Sequence, residues 1–338
     1  TSYMHATQEV SAEQPLLLDH FLDEAIEVDV DAVSDGREVL IGGILEHIEQ
    51  AGVHSGDSSC VMPPHSLSIK VQQELCRQMR LMTLELGVVG LVNAQFAIQN
   101  DEIYVLEVNP RASRTVPFVA KATGVSLAQI AARCMVGQSI AEQGVSTNES
   151  MNYFAVKKPV FPFNKFPGSD PILGPEMRST GEVMGISQSL GGAFAKGQLA
   201  SQQMLPAEGC AFLSVRDADK SRLVTAAHML LDSGFSLVAT RSTAAALRAA
   251  NIPVANVNKV HEGRPHIVDM LKNGEIQFII NTTEGEQAVI DSAMIRREAV
   301  ANRVCYTTTL AGGEAACRAL QHSGELDVMS LQQLCDVV

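Results

Sequence analysis

The sequence predicts a chain of mixed α/β and α+β class, in which an antiparallel sheet with helices precedes a doubly wound parallel sheet. Three observations carry this prediction. Near the N-terminus, apolar and polar residues alternate on either side of short turns, which is typical of β-hairpins. The middle of the chain is rich in glycine and proline. Towards the C-terminus, short apolar runs alternate with helical segments, which favours a parallel sheet covered on both faces.

These changes divide the chain into three stretches. We expect a partial lobe over residues 1–138, a connecting segment that completes it over 139–204, and a further domain over 205–338. The connecting segment contains five prolines, which favour turns and short strands over an independent core. They are Pro159, Pro162, Pro167, Pro171 and Pro175.

Individual elements follow from periodicity and turn chemistry. The dipeptide Asp35-Gly36 predicts a hairpin between the alternating run 25–33 and the apolar run 39–45. Apolar side chains at helical spacing predict a helix over 66–86, followed by two shorter helices over 116–123 and 126–137. In the last stretch, strands are predicted at 211–215, 236–239, 253–257, 276–280 and near Val304, with helices at 218–233, 243–250, 265–273, 286–299 and 312–321.

Composition excludes several classes of protein. The 338 residues are 46% hydrophobic and 19% charged, as in ordinary globular proteins, and no apolar run is long enough to span a bilayer. Residues 1–60 hold thirteen acids against the single base Arg37, so this segment repels a nucleic-acid backbone. Seven cysteines without a CxxC pair indicate reduced thiols. We therefore expect a cytoplasmic protein with neither a nucleic-acid nor a membrane partner.

The sharpest group of polar residues lies on a second predicted hairpin, over 91–108. Glu107 and Asn109 are two apart on one strand and share a face, and the pairing predicts that Gln95 lies beside Glu107. Oxygen donors of this kind suit Mg²⁺ together with phosphate oxygens. Two arginines suited to binding an anion follow, Arg111 and Arg114. The spacing alone is equally compatible with a strand that ends in a solvated Asn-Pro turn.

A second set of candidates follows the predicted strands of the last stretch. Hydroxyl, amide and lysine side chains at helix N-termini form an anion site at the carboxyl edge of such a sheet. The alternative is that Thr243 and Thr283 only cap helices. The candidates are Ser214, Lys220, Thr240, Thr243, Lys259, Asn281 and Thr283.

Several stretches of the sequence closely resemble one known family. They are Leu16–Leu22, Glu27–Asp31, Glu46–Asp57, Glu107–Gly124, Pro162–Gly168 and Pro175–Gly185. They resemble the large chain of glutamine-dependent carbamoyl phosphate synthetase, whose ATP-grasp signature is similar to Glu107–Gly124. The resemblance covers essentially the whole chain. It implies that 1–138 is the C-terminal lobe of an ATP-grasp domain, completed by 139–204, and that 205–338 is a methylglyoxal-synthase-like regulatory domain.

The resemblance implies an ATP-dependent ligase that phosphorylates carbamate to carbamoyl phosphate, for arginine and pyrimidine biosynthesis. Gln95, Glu107 and Asn109 would hold Mg²⁺ or Mn²⁺. Arg111 would bind the product phosphate, and His54 would lie over the ATP phosphates. Two further sets are implied for the nucleotide and for potassium. Glu27 would contact the ribose, and the Leu22 backbone would contact the adenine. The potassium site would consist of Glu27, His47, Glu49 and Ser58.

Regulation is implied as well, with UMP or IMP bound at the seven candidates after the predicted strands of the last stretch. Ornithine would bind Glu49, Asp57, Tyr306 and Thr308. Three residues depart from the family pattern and weaken these expectations, Lys158 at the ornithine site and Glu284 and Glu286 near the nucleotide site. Lys158 would repel an ammonium ligand, and we expect it to fold onto Glu49 and Asp57 in its place.

The resemblance also implies partners, namely the small glutaminase chain and an upstream part of the large chain. We expect residues 1–338 alone to be inactive, because the lobe that grips the ATP phosphates would precede residue 1. Two alternatives remain at this point. A stand-alone nucleotide-binding regulatory module leaves the ATP-grasp motifs unused. A methylglyoxal synthase needs an aspartate among the phosphate loops, and the loops after 240, 257 and 280 contain none.

Overall fold

The computed structural model describes residue 22, residues 24–145, 151–166 and 168–322, and positions 328, 330 and 332–333. Of the predicted motif Leu16–Leu22, only Leu22 lies among them. Over these described residues the strands form two sheets, one of seven strands and one of five. No helix in the same part of the chain is long and apolar enough to cross a bilayer.

The seven-stranded sheet is antiparallel, in the order β5-β4-β1-β2-β3-β6-β7. Its strands are β1 (Ile26–Asp35), β2 (Val39–His47), β3 (Cys60–Met62), β4 (Val89–Gln99), β5 (Glu102–Asn109), β6 (Phe154–Val160) and β7 (Gly181–Ser187). The two predicted hairpins are β1–β2 and β4–β5. The last two strands come from the proline-rich stretch and extend the same sheet, so this stretch continues the first lobe.

Helices cover both faces of this sheet. They are α1 (Ile69–Glu85), α2 (Val116–Thr123), α3 (Leu127–Met135), α4 (Ile140–Gln143) and α5 (Leu190–Ala200). α1 begins at Ser68, whose hydroxyl accepts the Val71 N–H at 3.3 Å, and buries Leu75 against β1 and β4. α2 and α3 bury Val119 and Leu127 against the opposite face.

Strand β1 is buried on both faces, although its alternation is typical of a strand with one face in water. Its apolar residues pack beneath α1. Its acids Glu27, Asp29 and Asp31 are at most 8% exposed. Buried carboxylates are costly without partners, so the polar face of β1 predicts a site rather than a solvated surface.

The five-stranded sheet is parallel throughout, in the order β10-β9-β8-β11-β12. Its strands are β8 (Gly209–Ser214), β9 (Phe235–Ala239), β10 (Ala255–Asn256), β11 (Phe278–Asn281) and β12 (Cys305–Thr307), and its helices are α6 (Lys220–Asp232), α7 (Arg241–Ala249), α8 (Ile267–Lys272), α9 (Glu286–Ala301) and α10 (Leu310–Leu320). Leu213 and Phe212 point to opposite faces and enter separate cores. The predicted fold class is therefore confirmed.

The two sheets share one hydrophobic core. Phe194 of α5 and Val156 of β6 belong to the same buried cluster as Leu213 of β8 and Leu310 of α10. A buried ion pair adds to this junction, because Arg296 of α9 forms two hydrogen bonds with the Asp170 carboxylate, at 2.6 and 2.5 Å. Burial opposes ionisation of Asp170, but Arg296 outweighs it and holds the pKa of this carboxyl below its usual value.

Candidate active site and effector site

A polar cleft of about 390 Å³ opens beside the ends of β4 and β5. We call it the cleft below. It is lined by residues from both hairpins, from the loop between β2 and β3, and from β6. Those that carry chemistry are Glu27, Asp29, His54, Gln95, Glu107, Asn109, Arg111, Arg114 and Lys157.

The β4–β5 register brings the predicted metal ligands together. Gln95 pairs directly with Glu107, and a bulge follows between Gln95 and Phe96. Asn109 donates from Nδ2 to Glu107 Oε1 at 2.8 Å, and Arg111 donates from Nη2 to Asn109 Oδ1 at 3.2 Å. A carboxylate and two amides beside a guanidinium offer oxygen donors of the kind that Mg²⁺ prefers, so these residues fit the implied ion.

A second layer of charge lies behind these ligands. His47 Nε2 is 2.9 Å from Asp29 Oδ2, and Nδ1 is 3.4 Å from Glu27 Oε2. Burial alone would lower the pKa of His47, but Cys60, Asp29 and Glu27 together raise it well above its usual value. Burial likewise opposes ionisation of Asp29, yet the hydrogen bond and charge of His47 hold its pKa below normal. The cluster therefore favours an imidazolium between two carboxylates.

The predicted potassium ligands are brought together only in part. Glu27 and His47 lie together, as described above. Glu49 accepts from the backbone N–H of Ser59 at 2.6 Å and from its hydroxyl at 3.2 Å, and it lines a separate small cavity. Ser58 donates from Oγ to the His54 carbonyl at 3.5 Å. The structure thus brings two of the four residues together.

Asp31 holds the segment after β5 in place, and the sequence analysis did not single it out. Its carboxylate accepts from Ser113 Oγ at 2.6 Å, from Asn93 Nδ2 at 3.1 Å, and from Thr115 Oγ1. Burial raises the pKa of Asp31 to about 6 despite these donors. The signal available in the sequence was the run of acids on one face of β1.

The loop between β2 and β3 carries His54 into the cleft. Its ring Nδ1 accepts the Gly56 N–H at 3.0 Å, and Lys157 Nζ donates to the Ser55 carbonyl at 3.0 Å. Asp57 accepts the backbone N–H groups of Arg178 and Ser179, both at 2.8 Å. Hydrogen bonds from residues of the proline-rich stretch 139–204 therefore hold this loop in place. The half-buried Leu22 is not among the residues that line the cleft.

The predicted ornithine residues are brought together only in part. Glu49, Tyr306 and Thr308 line one small cavity between the two sheets, which also contains Lys158. We call it the junction cavity. Asp57 is not among its lining residues, because its carboxylate binds the backbone at 178–179.

The expectation that Lys158 folds onto both acids is wrong. Lys158 Nζ donates to Ser59 Oγ at 3.1 Å, and this hydroxyl in turn donates to Glu49. The ammonium also lies 4.7 Å from the centre of the Phe194 ring. Burial lowers the pKa of Lys158, although the charge of Glu49 opposes this shift. The lysine reaches Glu49 only through Ser59 and does not reach Asp57.

The hydroxyl candidates of the second sheet meet at its carboxyl edge. Ser214 Oγ lies 3.1 Å from Thr240 Oγ1, which donates to Thr243 Oγ1 at 3.4 Å. Asn281 donates to the Ser214 carbonyl at 3.2 Å, and its side-chain oxygen is buried without a hydrogen-bond partner. Among the remaining candidates, Lys259 is exposed, Thr283 is half-buried and Lys220 pairs with Asp217 at 2.6 Å.

Thr243 and Thr283 are not the N-cap residues of the helices that follow β9 and β11. α7 is capped at Thr240 and α9 at Gly285, neither with a side-chain cap. Thr243 instead accepts the Val215 N–H at 3.2 Å, so this hydroxyl ties the first turn of α7 to the residue that follows β8.

Two further polar residues at this edge, Arg216 and Asp219, were not predicted from the sequence, and both lie against Thr282. Thr282 donates from Oγ1 to Asp219 Oδ2 at 2.6 Å, and Arg216 Nε lies 3.0 Å from the same oxygen. Asp219 is buried. The signal for Asp219 in the sequence was its position next to the candidate Lys220.

Comparisons with known proteins agree with this geometry. Residues 1–143 match the family model described as "Carbamoyl-phosphate synthase L chain, ATP binding domain", and residues 222–308 match an "MGS-like domain". A "Carbamoyl phosphate synthase large chain" of Pseudomonas aeruginosa is 57% identical over 98% of this chain. One from Halomonas eurihalina is 58% identical over the same share.

A solved structure, "Biotin Carboxylase domain of single-chain bacterial carboxylase", has a TM-score of 0.44 and 17% identity, and it covers 58% of this chain and 51% of its own. The chain spans 31% of the length of the two large-chain relatives. The sequence identity with the two large-chain relatives extends over both sheets. One family model matches part of the antiparallel sheet, and the other matches part of the parallel sheet. The chain therefore belongs to the carbamoyl phosphate synthase large chain family, and the family predicted from its motifs is confirmed.

Proposed function

We propose that this chain supplies the carbamate-phosphorylating end of a glutamine-dependent carbamoyl phosphate synthase, in arginine and pyrimidine biosynthesis. The observation that carries the proposal is the paired placement of Gln95 and Glu107, with Asn109 and Arg111 in contact beyond them. Such a site suits transfer of a phosphoryl group from ATP to an anionic acceptor. That reaction depends on positioning and on charge neutralisation more than on covalent catalysis.

Five residues of the cleft have a definite task in this proposal. Gln95, Glu107 and Asn109 hold Mg²⁺ or Mn²⁺, which neutralises phosphate charge when bound. Arg111 binds the phosphate of the product, and His54 lies over the ATP phosphates. Arg111 is prepared for this task, because its guanidinium is oriented by the Asn109 amide and the Ala112 carbonyl.

Nucleotide and potassium contacts form a second part of the proposal. Glu27 receives the ribose, and the Leu22 backbone meets the adenine. Potassium binds the set Glu27, His47, Glu49 and Ser58, of which the first two are already in contact. Of these residues, Glu27 lines the cleft, whereas Glu49 lines the junction cavity.

The domain division and regulation are proposed in the same way. Residues 1–138 and 139–204 form the ATP-grasp lobe, because β6 and β7 extend its sheet, and 205–338 bind UMP or IMP. The unpartnered oxygen of Asn281 and the hydroxyls of Ser214 and Thr240 support a polar ligand there. Ornithine is an effector only if the junction cavity admits it.

The whole reaction needs partners in this proposal. The glutaminase chain supplies ammonia, and the upstream part of the large chain supplies the second lobe of the ATP site. The chain matches 31% of its relatives' length, which is consistent with an activity that residues 1–338 alone do not perform.

A charge-removing substitution in the complete enzyme tests the proposal. Glu107→Gln keeps the shape of the side chain but removes the negative charge that holds the ion, so carbamoyl phosphate synthesis should fall at least about 100-fold. Bicarbonate-dependent ATP hydrolysis, which the resemblance places at a separate site in the upstream part of the large chain, should continue. Glu102→Gln is the matched control, since Glu102 is an exposed residue of the same strand, bonded to Tyr104. Synthesis at the parent rate in Glu107→Gln would contradict the assignment.

A further inference from the structure

A buried cluster of three potential metal ligands lies behind the cleft. Asp29 of β1, His47 of β2 and Cys60 of β3 are each at most 4% exposed. One ligand atom from each lies within 4.8 Å of those from the other two. No role assigned above uses the thiol of Cys60.

The sheet register creates this cluster. His47 and Cys60 are direct partners across β2 and β3, and Asp29 pairs with Leu45, two residues before His47 on the same face. Cys60 in turn faces Lys157 on β6. The three ligands therefore lie in one row across three adjacent strands, held by backbone pairing.

A second observation points to a cation within the row. The Nδ1 atom of His47 and the Oε2 atom of Glu27 are buried without a hydrogen-bond partner and face each other at 3.4 Å. A histidine that binds a metal through one nitrogen characteristically turns the other towards a carboxylate. Here Nδ1 faces Glu27, and Nε2 is the nitrogen nearest Asp29.

The carboxylates of Asp29 and Glu27 also need positive charge nearby. Glu27, Asp29 and Lys157 all line the cleft, and Lys157 is 1% exposed. A divalent ion bound to a Cys60 thiolate and a neutral His47 would, together with the Lys157 ammonium, neutralise the negative charges of the two carboxylates and the thiolate. Without an ion, Cys60 is a neutral thiol, and a proton on His47 together with the Lys157 ammonium neutralises the two carboxylates.

We propose that Asp29, His47 and Cys60 form a three-ligand site for a borderline-soft divalent cation of the zinc class. A carboxylate, an imidazole and a thiolate are a donor set that suits Zn²⁺, whereas Mg²⁺ and K⁺ do not take thiolate. The fourth position faces the cleft, which Asp29 lines, so the ion enters from there and retains one water. The inference does not rest on the proposed reaction.

The geometry requires a small adjustment. Metal–ligand bonds of about 2.0–2.3 Å place tetrahedral ligands about 3.3–3.7 Å apart. The Asp29–His47 pair, now 2.9 Å apart, must open by about half an ångström, and ligand atoms as far apart as 4.8 Å must close by about 1 Å. Binding releases the Cys60 thiol proton and any proton on His47 to solvent, so affinity rises with pH.

Cobalt provides a direct test on the purified chain. One Co²⁺ per chain should give the near-ultraviolet thiolate-to-cobalt charge-transfer absorption, which an excess of Zn²⁺ should remove. Cys60→Ser should abolish this absorption. Cys76→Ser is the matched control, because Cys76 lies on α1 and is more exposed; it should retain the absorption.

A second variant guards against a folding defect in Cys60→Ser. Glu27→Gln leaves all three ligands in place but replaces the carboxylate that orients His47 with an amide. The affinity for Co²⁺ should therefore fall about 10–100-fold, while the absorption at saturation is unchanged. Absence of the charge-transfer absorption in the parent, or its persistence in a folded Cys60→Ser variant, would overturn the proposal.

Discussion

The hydroxyl of Ser113 donates to the carboxylate of Asp31 at 2.6 Å, although 82 positions separate the two residues in the chain. This bond joins the centre of β1 to the segment that carries Arg111 and Arg114. Thr115 and Asn93 donate to the same carboxylate. The position of the arginines in the cleft therefore depends on a single buried acid.

Asp31→Asn should change how stability depends on pH. The pKa of Asp31 is about 6 in the fold against 3.8 as its ordinary value, because burial disfavours the charged form. The folded state therefore binds this proton more tightly, and the contribution of Asp31 to the free energy of unfolding falls as pH rises from about 4 to about 6, by about 3 kcal/mol in all. The asparagine does not ionise, so the melting temperature of the variant minus that of the parent should increase between about pH 5 and about pH 7.5.

The matched control for this test is Asp35→Asn. Burial alone would raise the pKa of Asp35, but the backbone N–H groups of Glu38, Ile140 and Arg37 outweigh it and lower the pKa. Its stabilisation is complete above its ordinary pKa, so the difference from the parent should be constant over the same pH range. A constant difference for Asp31→Asn as well would contradict the assigned pKa.

Lys158→Glu should create a response to ornithine. In the parent, the ammonium of Lys158 occupies the junction cavity beside Glu49 and Tyr306, and it repels a second ammonium by about 4 kcal/mol at ~4 Å when the effective dielectric constant is near 20. We expect weak or no activation of the parent. The measurement is ATP synthesis from carbamoyl phosphate and ADP in the complete enzyme, titrated with ornithine.

The control for this experiment is Lys165→Glu, which places the same charge change on an exposed residue of the same stretch. It should leave the ornithine response of the parent unaltered. Strong activation of the parent by ornithine would show that Lys158 leaves room for the ligand.

Lys259→Ala should weaken binding of UMP or IMP to the second sheet. A charge-assisted contact with phosphate contributes about 1.5–3 kcal/mol, which corresponds to a loss of about 10–150-fold in affinity. Calorimetry on the chain measures this directly. Lys272→Ala is the control, because Lys272 pairs loosely with Glu298 at 3.9 Å, at the end of α8. If the parent binds neither nucleotide, the acidic replacements at 284 and 286 are the first substitutions to reverse.

Arg296→Met should destabilise the junction between the sheets. Removal of the guanidinium leaves the Asp170 carboxylate without the two hydrogen bonds and the charge that Arg296 supplies. Since the Asp170 side chain is 21% exposed, we expect a loss of about 2–3 kcal/mol, below the 3–5 kcal/mol found for fully buried pairs. Denaturant unfolding measures the loss. The exposed Arg297 provides the control variant Arg297→Met, and an equal effect of the two substitutions would refute a specific ion pair.

Local signals predicted the two hairpins well. Turn dipeptides set the registers of β1–β2 and β4–β5, and the β4–β5 register alone brings Gln95 to Glu107. The parallel sheet was predictable for the same reason, since its apolar strands and helices follow one another closely along the chain.

Elements that depend on distant partners were not predictable. β3 has three residues and is defined only by its pairing with β2 and β6. β6 contains Pro159, which argues against a strand when neighbours are unknown. The same limit applies to the sites: Asp31 and Lys157 are recognised by contacts 82 and 102 positions away.

The apolar core shared by the two sheets bears on how this architecture can change over evolutionary time. Phe194 is 1% exposed because α10 lies against α5. Transfer of the C-terminal sheet alone to another protein would leave α5 with an uncovered aromatic surface and the transferred sheet with an open flank. The unit that can be exchanged between genes without such exposure is therefore larger than the parallel sheet and includes β6, β7 and α5.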